Sequence, residues 1–110
     1  MTAGYLSMLF NFKGPNLSIT TACASSNHAI GLSARLIAAG DADVMIAGGA
    51  EMATTPLGIS GFLASKALSI SENPITASRP WDKNRNGFVL SDGAGTVSYT
   101  HLRAHETCVH

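Results

Sequence analysis

The chain has 110 residues, a net charge of zero and a charged fraction of 13%, about half of the ~25% that is typical of soluble domains. Without clustered basic residues, this balance argues against a nucleic-acid partner and against binding to an anionic membrane surface. The length allows at most one domain or a piece of one, and an apolar fraction of 45% predicts extensive burial, within the chain or against chain that is not present in it.

The first elements that the pattern predicts are a helix and a strand. Apolar residues spaced among small and polar ones over residues 3–12 indicate an amphipathic helix. Lys13-Gly14-Pro15-Asn16 then ends the helix and turns the chain. Leu17-Ser18-Ile19-Thr20-Thr21 alternates and is rich in β-branched residues, which predicts a short strand that ends at Cys23.

A second helix and a second strand follow. Residues 24–39 contain no proline and many Ala and Ser residues, which predicts a helix packed closely on several faces and capped by Gly40. The apolar run Val44–Gly49 is typical of a fully covered parallel strand. Strand, helix and strand over about thirty residues form a βαβ crossover, so the fold class is α/β.

The second half of the chain is less periodic. Thr55 as N-cap and Pro56 at the first helical position predict a helix through Ala64. Residues 66–81 predict an ordered loop, and residues 87–90 begin a strand that turns into the next near residues 91–97. The loop has four apolar side chains to pin it: Leu68, Ile70, Ile75 and Trp81.

Cys23 lies where the predicted strand meets the helix. The helix dipole and the unpaired amide groups of a first turn favour a thiolate there, which predicts a nucleophile. The alternative is an inert, buried thiol. A cysteine hydrolase of the α/β-hydrolase type is less favoured, because its nucleophile elbow has glycines two residues to either side, where this chain has Thr21 and Ser25.

Nine blocks of sequence carry a family resemblance. They are Gly14-Pro15, Thr21-Ala22-Cys23-Ala24-Ser25-Ser26, His28-Ala29-Ile30-Gly31, Gly40-Asp41-Ala42-Asp43, Ala47-Gly48-Gly49-Ala50-Glu51, Lys66-Ala67-Leu68-Ser69, Ser78-Arg79-Pro80-Trp81-Asp82, Arg85-Asn86-Gly87-Phe88-Val89 and Gly93-Ala94-Gly95. Their order and spacing resemble β-ketoacyl-acyl-carrier-protein synthases of the synthase II type. The resemblance covers about residues 1–97, a segment of a thiolase-like ketoacyl synthase domain. Residues 98–110 are predicted to be a tail outside the family pattern, artefactual or disordered.

The resemblance implies a thiolase-like fold of layers in the order α-β-α-β-α, present in part, with the βαβ unit around a nucleophile elbow. It implies that Cys23 takes an acyl group from acyl carrier protein and that malonyl carrier protein then decarboxylates and condenses with it in fatty acid elongation. The backbone amide of Cys23 is implied as one of two oxyanion donors. The second donor and the two histidines of the family reaction correspond to positions beyond Val97.

The resemblance also implies partners. It predicts acyl carrier protein and a homodimer, with the strand at 17–21 near the two-fold axis and Leu9, Phe10 and Phe12 beside it. Neither a metal nor an organic cofactor is expected, because the thioester substrates carry their own activation. The competing interpretation is a catalytically incomplete fragment that acts at most as a structural or pairing module.

Several other residues have a structural and a functional interpretation. His28 is expected to be packed or hydrogen-bonded rather than to touch the chemistry. Arg79, Asp82 and Arg85 are expected to tie a loop by ion pairs, and the alternative for the two arginines is docking of an acidic carrier protein. The glycines of Gly48-Gly49 and Gly93-Ala94-Gly95 are expected to allow close backbone approach rather than to cradle phosphate. A metal site in the tail is disfavoured; its residues would be His101, His105, Cys108 and His110.

The expected location is the cytoplasm. Two cysteines are too few for a disulfide framework, and a reactive thiol suits a reducing compartment. The N-terminal residues lack the basic region of a secretory signal. Arg35, Asp41 and Asp43 interrupt the most apolar window, so no membrane span is expected.

Overall fold

A computed structural model of the protein describes residues 2–100. These residues divide into two compact units: unit 1 comprises residues 2–49 and 95–100, and unit 2 comprises Ala50–Ala94. The elements in chain order are α1 (Thr2–Phe10), a 3₁₀ turn (Ala22–Ala24), α2 (Ser25–Ala39), β1 (Val44–Glu51), α3 (Pro56–Ala64), α4 (Pro74–Ala77) and β2 (Gly93–Thr100).

Helix α1 is the predicted first helix, and it ends two residues earlier than predicted. The reason is local, because Asn11 adopts a left-handed φ of 56°, a conformation that asparagine tolerates better than most residues. The Phe12 N–H then donates to the Ser7 carbonyl at 3.0 Å. The Phe10 and Phe12 rings stack with centroids 5.6 Å apart, which leaves both exposed on the outside of unit 1.

The predicted strand at 17–21 is wrong for the described residues. Residues 15–21 have no regular structure and are joined to no neighbouring strand. Alternation of β-branched residues specifies an extended backbone, whereas a strand also needs a hydrogen-bonding partner. Of the predicted βαβ crossover, only the helix and the second strand are therefore formed.

Helix α2 ends where the sequence predicts. Gly40 has a φ of 82°, and its N–H donates to Ile37 at 3.0 Å. The Asp41 N–H donates to Leu36 at 2.9 Å, so two carbonyls of the last turn are satisfied by a Schellman-type cap. The expected close packing on several faces is wrong within this unit, because only Ser33 and Ile37 of the helix are buried.

β1 and β2 form a two-stranded sheet. Ala47 is buried, but Val44 and Ile46 remain 54% and 45% exposed, so the prediction of a fully covered strand is wrong for the described part of the chain. Close backbone approach is confirmed at Gly48, where a Cβ atom would meet the Gly95 carbonyl oxygen and lie 2.8 Å from the Thr96 Cα.

The other glycines of this group differ from one another. A Cβ atom on Gly49 would strike the hydroxyl of Ser26, which joins β1 closely to the first turn of α2. A Cβ atom on Gly93 or Gly95 would meet open space. The expectation that backbone approaches these two glycines too closely for a side chain is therefore wrong. The sequence pattern alone does not distinguish these two cases.

In unit 2, α3 begins as predicted. Thr55 is the N-cap, with its hydroxyl accepting the Gly58 N–H at 3.1 Å, and Pro56 occupies the first turn. Immediately before it, the Thr54 N–H donates to the Asp92 carboxylate at 3.0 Å, and the Thr54 hydroxyl donates to the other carboxylate oxygen. These hydrogen bonds hold the start of α3 to a residue 38 positions later in the chain.

A short parallel bridge joins Leu68 to Phe88. The Ser69 N–H donates to Phe88 at 2.9 Å, and the Phe88 N–H donates to Ala67 at 3.0 Å. The Phe88 ring also meets Phe62 of α3 edge to face at 5.2 Å. The predicted strand from residue 87 is thus reduced to this single bridge, and β2 begins only at residue 93.

The sequence predicts that four apolar side chains fix the loop over residues 66–81 by burial, and this prediction is wrong for three of them. Leu68 is half-buried in the bridge, whereas Ile70, Ile75 and Trp81 are 76%, 88% and 97% exposed. The short helix α4 organises the loop instead, with Asn73 accepting the Ile75 N–H at 3.0 Å. A side-chain cap from Asn73, rather than burial of apolar side chains, therefore orders this segment within unit 2.

The expected ion pairs of the following segment are also wrong for the described residues. Arg85 donates to the backbone carbonyl of Asp82 at 3.1 Å, not to its carboxylate. The Asp82 carboxylate accepts the Asn84 N–H at 2.6 Å. Arg79 has a buried Nε without a hydrogen-bond partner in this part of the chain. Turn hydrogen bonds hold the segment in place of charge pairs.

Candidate functional site

The 3₁₀ turn presents Cys23 directly before α2. Its thiol is free and exposed, so it is not buried among the described residues as the alternative interpretation expects. Helix α2 is 15 residues long and begins at Ser25. The positive end of its dipole lies next to the cysteine.

The turn leaves one backbone donor beside the thiol. The Ala24 N–H donates to the Thr21 carbonyl at 3.1 Å, and the Ser25 N–H donates to the Ala22 carbonyl. These two bonds close the turn, and neither uses the Cys23 N–H. Attack on a thioester requires a nucleophilic sulfur, and the oxyanion that results requires a hydrogen-bond donor. Cys23 carries both a sulfur and a backbone N–H.

The backbone of the turn is unusual at Ala22. Its φ of 51° lies in the left-handed region, which a residue with a Cβ atom seldom adopts. Thr21 before it has φ −130° and ψ 38°. The change of direction between these residues brings the chain abruptly into the 3₁₀ turn. Strained backbone of this kind concentrates at functional sites.

Two side chains of α2 hold the residues before Cys23. The Ser25 hydroxyl accepts the Thr21 N–H at 2.9 Å and donates to the Ala22 carbonyl at 2.7 Å. One turn later, His28 Nδ1 shares a hydrogen bond of 2.7 Å with the Thr21 hydroxyl. The structure thus gives His28 a hydrogen-bonded role. The sequence analysis assigns no hydrogen bonds to Thr21 or Ser25, although a serine directly after a turn is a signal for such bonds.

Two clefts among the described residues are not lined by Cys23. One, of about 330 Å³, lies along α2 and is lined by Asn27, His28 and Arg35 with their neighbours. The other, of about 440 Å³, belongs to unit 2 and is lined by Arg79, Arg85 and Phe88 among others. The Cys23 thiol is exposed outside both clefts.

Metal ligands and membrane spans are not found in residues 2–100. No three His, Cys, Asp or Glu side chains in this range are grouped to hold a metal ion. No helix there has the length and apolar character to cross a bilayer. The tail residues weighed as metal ligands, His101, His105, Cys108 and His110, lie outside the described range.

Comparison with known proteins identifies the family of the chain. The sequence model of the beta-ketoacyl synthase N-terminal domain matches residues 1–104. The 3-oxoacyl-[acyl-carrier-protein] synthase 2 of Vibrio cholerae is 56% identical over 108 residues, which cover 94% of this chain and 26% of the relative. The chain therefore spans about a quarter of the length of the curated relatives it matches.

Solved structures agree with the sequence match. A beta-ketoacyl synthase from Burkholderia phymatum has a TM-score of 0.84 and 32% identity, over 96% of this chain and 26% of that one. A type II polyketide ketosynthase, solved in complex with its acyl-carrier protein, also has a TM-score of 0.84 and 32% identity, over 98% and 27% of the two chains. The described elements thus form part of a known mixed α/β, thiolase-like domain.

Proposed function

The chain belongs to the β-ketoacyl synthase family, and on that premise we propose that it supplies the acyl-accepting cysteine, Cys23, of a β-ketoacyl-acyl-carrier-protein synthase. The observation that carries the proposal is the exposed Cys23 thiol in a strained turn at the start of α2. The turn coincides with the Thr21–Ser26 block of the family resemblance. A nucleophile elbow is the functional interpretation of this turn.

The proposed first step is acyl transfer. The Cys23 thiolate attacks the carbonyl carbon of an acyl thioester on acyl carrier protein, and the carbonyl oxygen becomes an oxyanion. The Cys23 N–H, which the turn does not use, donates to that oxyanion. When the tetrahedral intermediate collapses, the carrier thiolate leaves and takes up a proton, and the acyl group remains as a thioester on Cys23.

The proposed second step is a decarboxylative Claisen condensation. Malonyl carrier protein loses carbon dioxide, and the resulting carbanion attacks the acyl thioester carbon. The Cys23 thiolate is then released, and the acyl chain leaves on the carrier as a β-ketoacyl thioester, two carbons longer. The resemblance assigns the decarboxylation to histidines beyond the equivalent of Val97. We therefore propose the acyl-transfer half for this chain and the condensation for the whole protein.

The proposed partners follow from the same chemistry. The related ketosynthase solved with its acyl-carrier protein supports a carrier protein as the donor of the acyl group. A homodimer and a cytoplasmic location remain predictions. The exposed Leu9, Phe10 and Phe12 are the apolar residues expected near the two-fold axis. A full-length parent that sediments as a monomer at micromolar concentration would contradict the dimer.

Mass spectrometry of the chain after incubation with hexanoyl-acyl carrier protein tests the acyl transfer. We expect a hexanoyl thioester on Cys23 that is lost in Cys23→Ala. The matched control is Cys108→Ala, which removes the other cysteine and should keep the label.

The outcomes separate the candidate functions. Absence of label on Cys23 contradicts the acyl-transfer proposal. Label on Cys23 without a β-ketoacyl product from malonyl-acyl carrier protein supports a chain that is incomplete for condensation. Steady release of hexanoic acid, abolished by Cys23→Ala, would instead favour the cysteine hydrolase.

A further inference from the structure

We propose that Ser25 is a positioning residue that fixes the direction of the Cys23 backbone N–H for acyl transfer. The inference rests on the proposed function and extends it to a residue that does not touch the substrate. Its basis is the pair of hydrogen bonds that the Ser25 hydroxyl makes with Thr21 and Ala22.

The hydroxyl of Ser25 bridges the chain across the cysteine. Ser25 lies two residues after Cys23, whereas its partners lie two and one residues before it. The hydroxyl oxygen accepts the Thr21 N–H at 2.9 Å, and the hydroxyl proton is donated to the Ala22 carbonyl at 2.7 Å. The Ser25 N–H donates to the same Ala22 carbonyl. One residue thus supplies three hydrogen bonds to the segment that leads into the nucleophile.

The planarity of the peptide group connects the Ala22 carbonyl with the Cys23 N–H. The Ala22 C=O and the Cys23 N–H belong to one trans peptide group, so they lie in one plane and point in opposite directions. When Ser25 holds the Ala22 oxygen from its hydroxyl and its N–H, the direction of the Cys23 N–H is fixed as well. An oxyanion donor must lie about 2.7–3.1 Å from the developing charge, which requires such a fixed direction.

The left-handed backbone at Ala22 explains why a clamp is needed. At a φ of 51°, the Cβ atom of Ala22 crowds the neighbouring carbonyl, and the residue would relax if nothing held it. Relaxation would rotate the peptide plane between Ala22 and Cys23. The thiol would remain exposed and next to α2, but the N–H would no longer be directed at one point.

The test compares two reactions of Cys23 in the full 110-residue chain. Alkylation by iodoacetamide needs only the thiolate, whereas acylation by hexanoyl-acyl carrier protein also needs the oxyanion donor. In Ser25→Ala we expect the acylation rate to fall by about ten- to a hundredfold, given that loss of an oxyanion donor costs about two to three orders of magnitude. Alkylation should stay within about twofold, since the thiol itself is not displaced.

Two variants serve as controls. Ser25→Thr keeps the hydroxyl and should keep both rates. Ser26→Ala removes the neighbouring hydroxyl, which makes no hydrogen bond to the turn, and should also keep both rates. Amide hydrogen exchange at Ala24 gives a readout without substrate, because the Ala24 N–H closes the turn on Thr21. It should quicken in Ser25→Ala alone.

The results distinguish this inference from the proposed function. If Ser25→Ala is acylated at the wild-type rate, if its acylation and alkylation fall together, or if Ala24 exchange is unchanged, Ser25 has no positioning role. A wild-type chain that takes no acyl group contradicts the proposed function and, with it, the role of Ser25 in transfer.

Discussion

Replacing Gly87 with alanine is expected to open the parallel bridge of unit 2. Gly87 has a φ of 139°, which residues with a Cβ atom rarely adopt. A Cβ atom there would strike the Leu68 carbonyl carbon and the Ser69 nitrogen, and would lie 2.5 Å from the Leu68 oxygen. All of these are backbone atoms, so no side chain can turn away to make room.

The magnitude follows from what the bridge contains. Opening it breaks the two backbone hydrogen bonds between residues 67–69 and Phe88, each worth about 1 kcal/mol. Holding alanine at the native φ instead costs about 1–3 kcal/mol, before the overlap with Leu68 is counted. The strain and the overlap together therefore match or exceed the roughly 2 kcal/mol that the two hydrogen bonds contribute, so the Gly87→Ala change should leave the bridge largely open, a shift of about 30-fold in the opening equilibrium.

Amide hydrogen exchange at Ser69 and Phe88 measures this opening directly, because these two N–H groups make the bridge. Exchange should accelerate by about 30-fold, to near the rate of an unprotected amide. The matched control is Gly61→Ala in the middle of α3. A Cβ atom there would meet open space, and the substitution should raise helix stability by up to about 1 kcal/mol. Equal exchange in Gly87→Ala and in the unchanged chain would refute the steric argument.

Three further changes test other parts of the chain. Gly48→Ala should separate β1 from β2, seen as faster amide exchange across β2, while Gly95→Ala, with open space at its Cβ, should not. Hydrogen bonds from the Thr54 hydroxyl and N–H lower the pKa of Asp92 below 3.8. The hydrogen bonds between Thr54 and the Asp92 carboxylate should therefore stabilise unit 2 above that pH, and this stabilisation should be lost as the pH falls through the lowered pKa. In an NMR titration of the Asp92 carboxyl carbon, Thr54→Ala should move the pKa back towards 3.8. Thr55→Ala should cost α3 about 1 kcal/mol in urea unfolding followed by circular dichroism, while Thr55→Ser should keep most of the cap; equal unfolding of both variants would contradict the capping role.

Helix boundaries were the most predictable part of the fold, since their signals are local. Gly40 ends α2, and Thr55 with Pro56 begins α3, as the sequence indicates. In each case the residue that carries the signal makes or permits the hydrogen bond that caps the helix. Such bonds involve residues within about four positions, so one stretch of sequence contains all of the information.

Strands and burial were less predictable because they depend on distant partners. The pattern at 17–21 describes an extended segment, but no local feature shows which strand it would join. Likewise, Ile75 and Trp81 are apolar by composition, yet what covers an apolar side chain is not encoded in its neighbours along the chain. The predictions that were wrong concerned the pairing of strands and the burial of apolar side chains in the loop.

The position of Cys23 was predictable, whereas the means of holding it was not. The small-residue helix after the β-branched run located the thiol at a helix start, as the structure has it. The left-handed φ of Ala22 gave no signal, because alanine is not a residue that typically adopts it. The hydrogen bonds of Ser25 that accompany this conformation could be recognised only from the coordinates.

The separation of β1 from β2 along the chain has a consequence for synthesis on the ribosome. About 40 residues, most of unit 2, are translated between the end of β1 and the start of β2. At about 5–20 residues per second, β1 waits roughly 2–8 s before its partner strand exists. During that interval its backbone edge, beside the apolar Val44 and Ile46, can pair with another nascent chain. Codons that slow translation over residues 52–92 should therefore increase aggregation without changing a single amino acid.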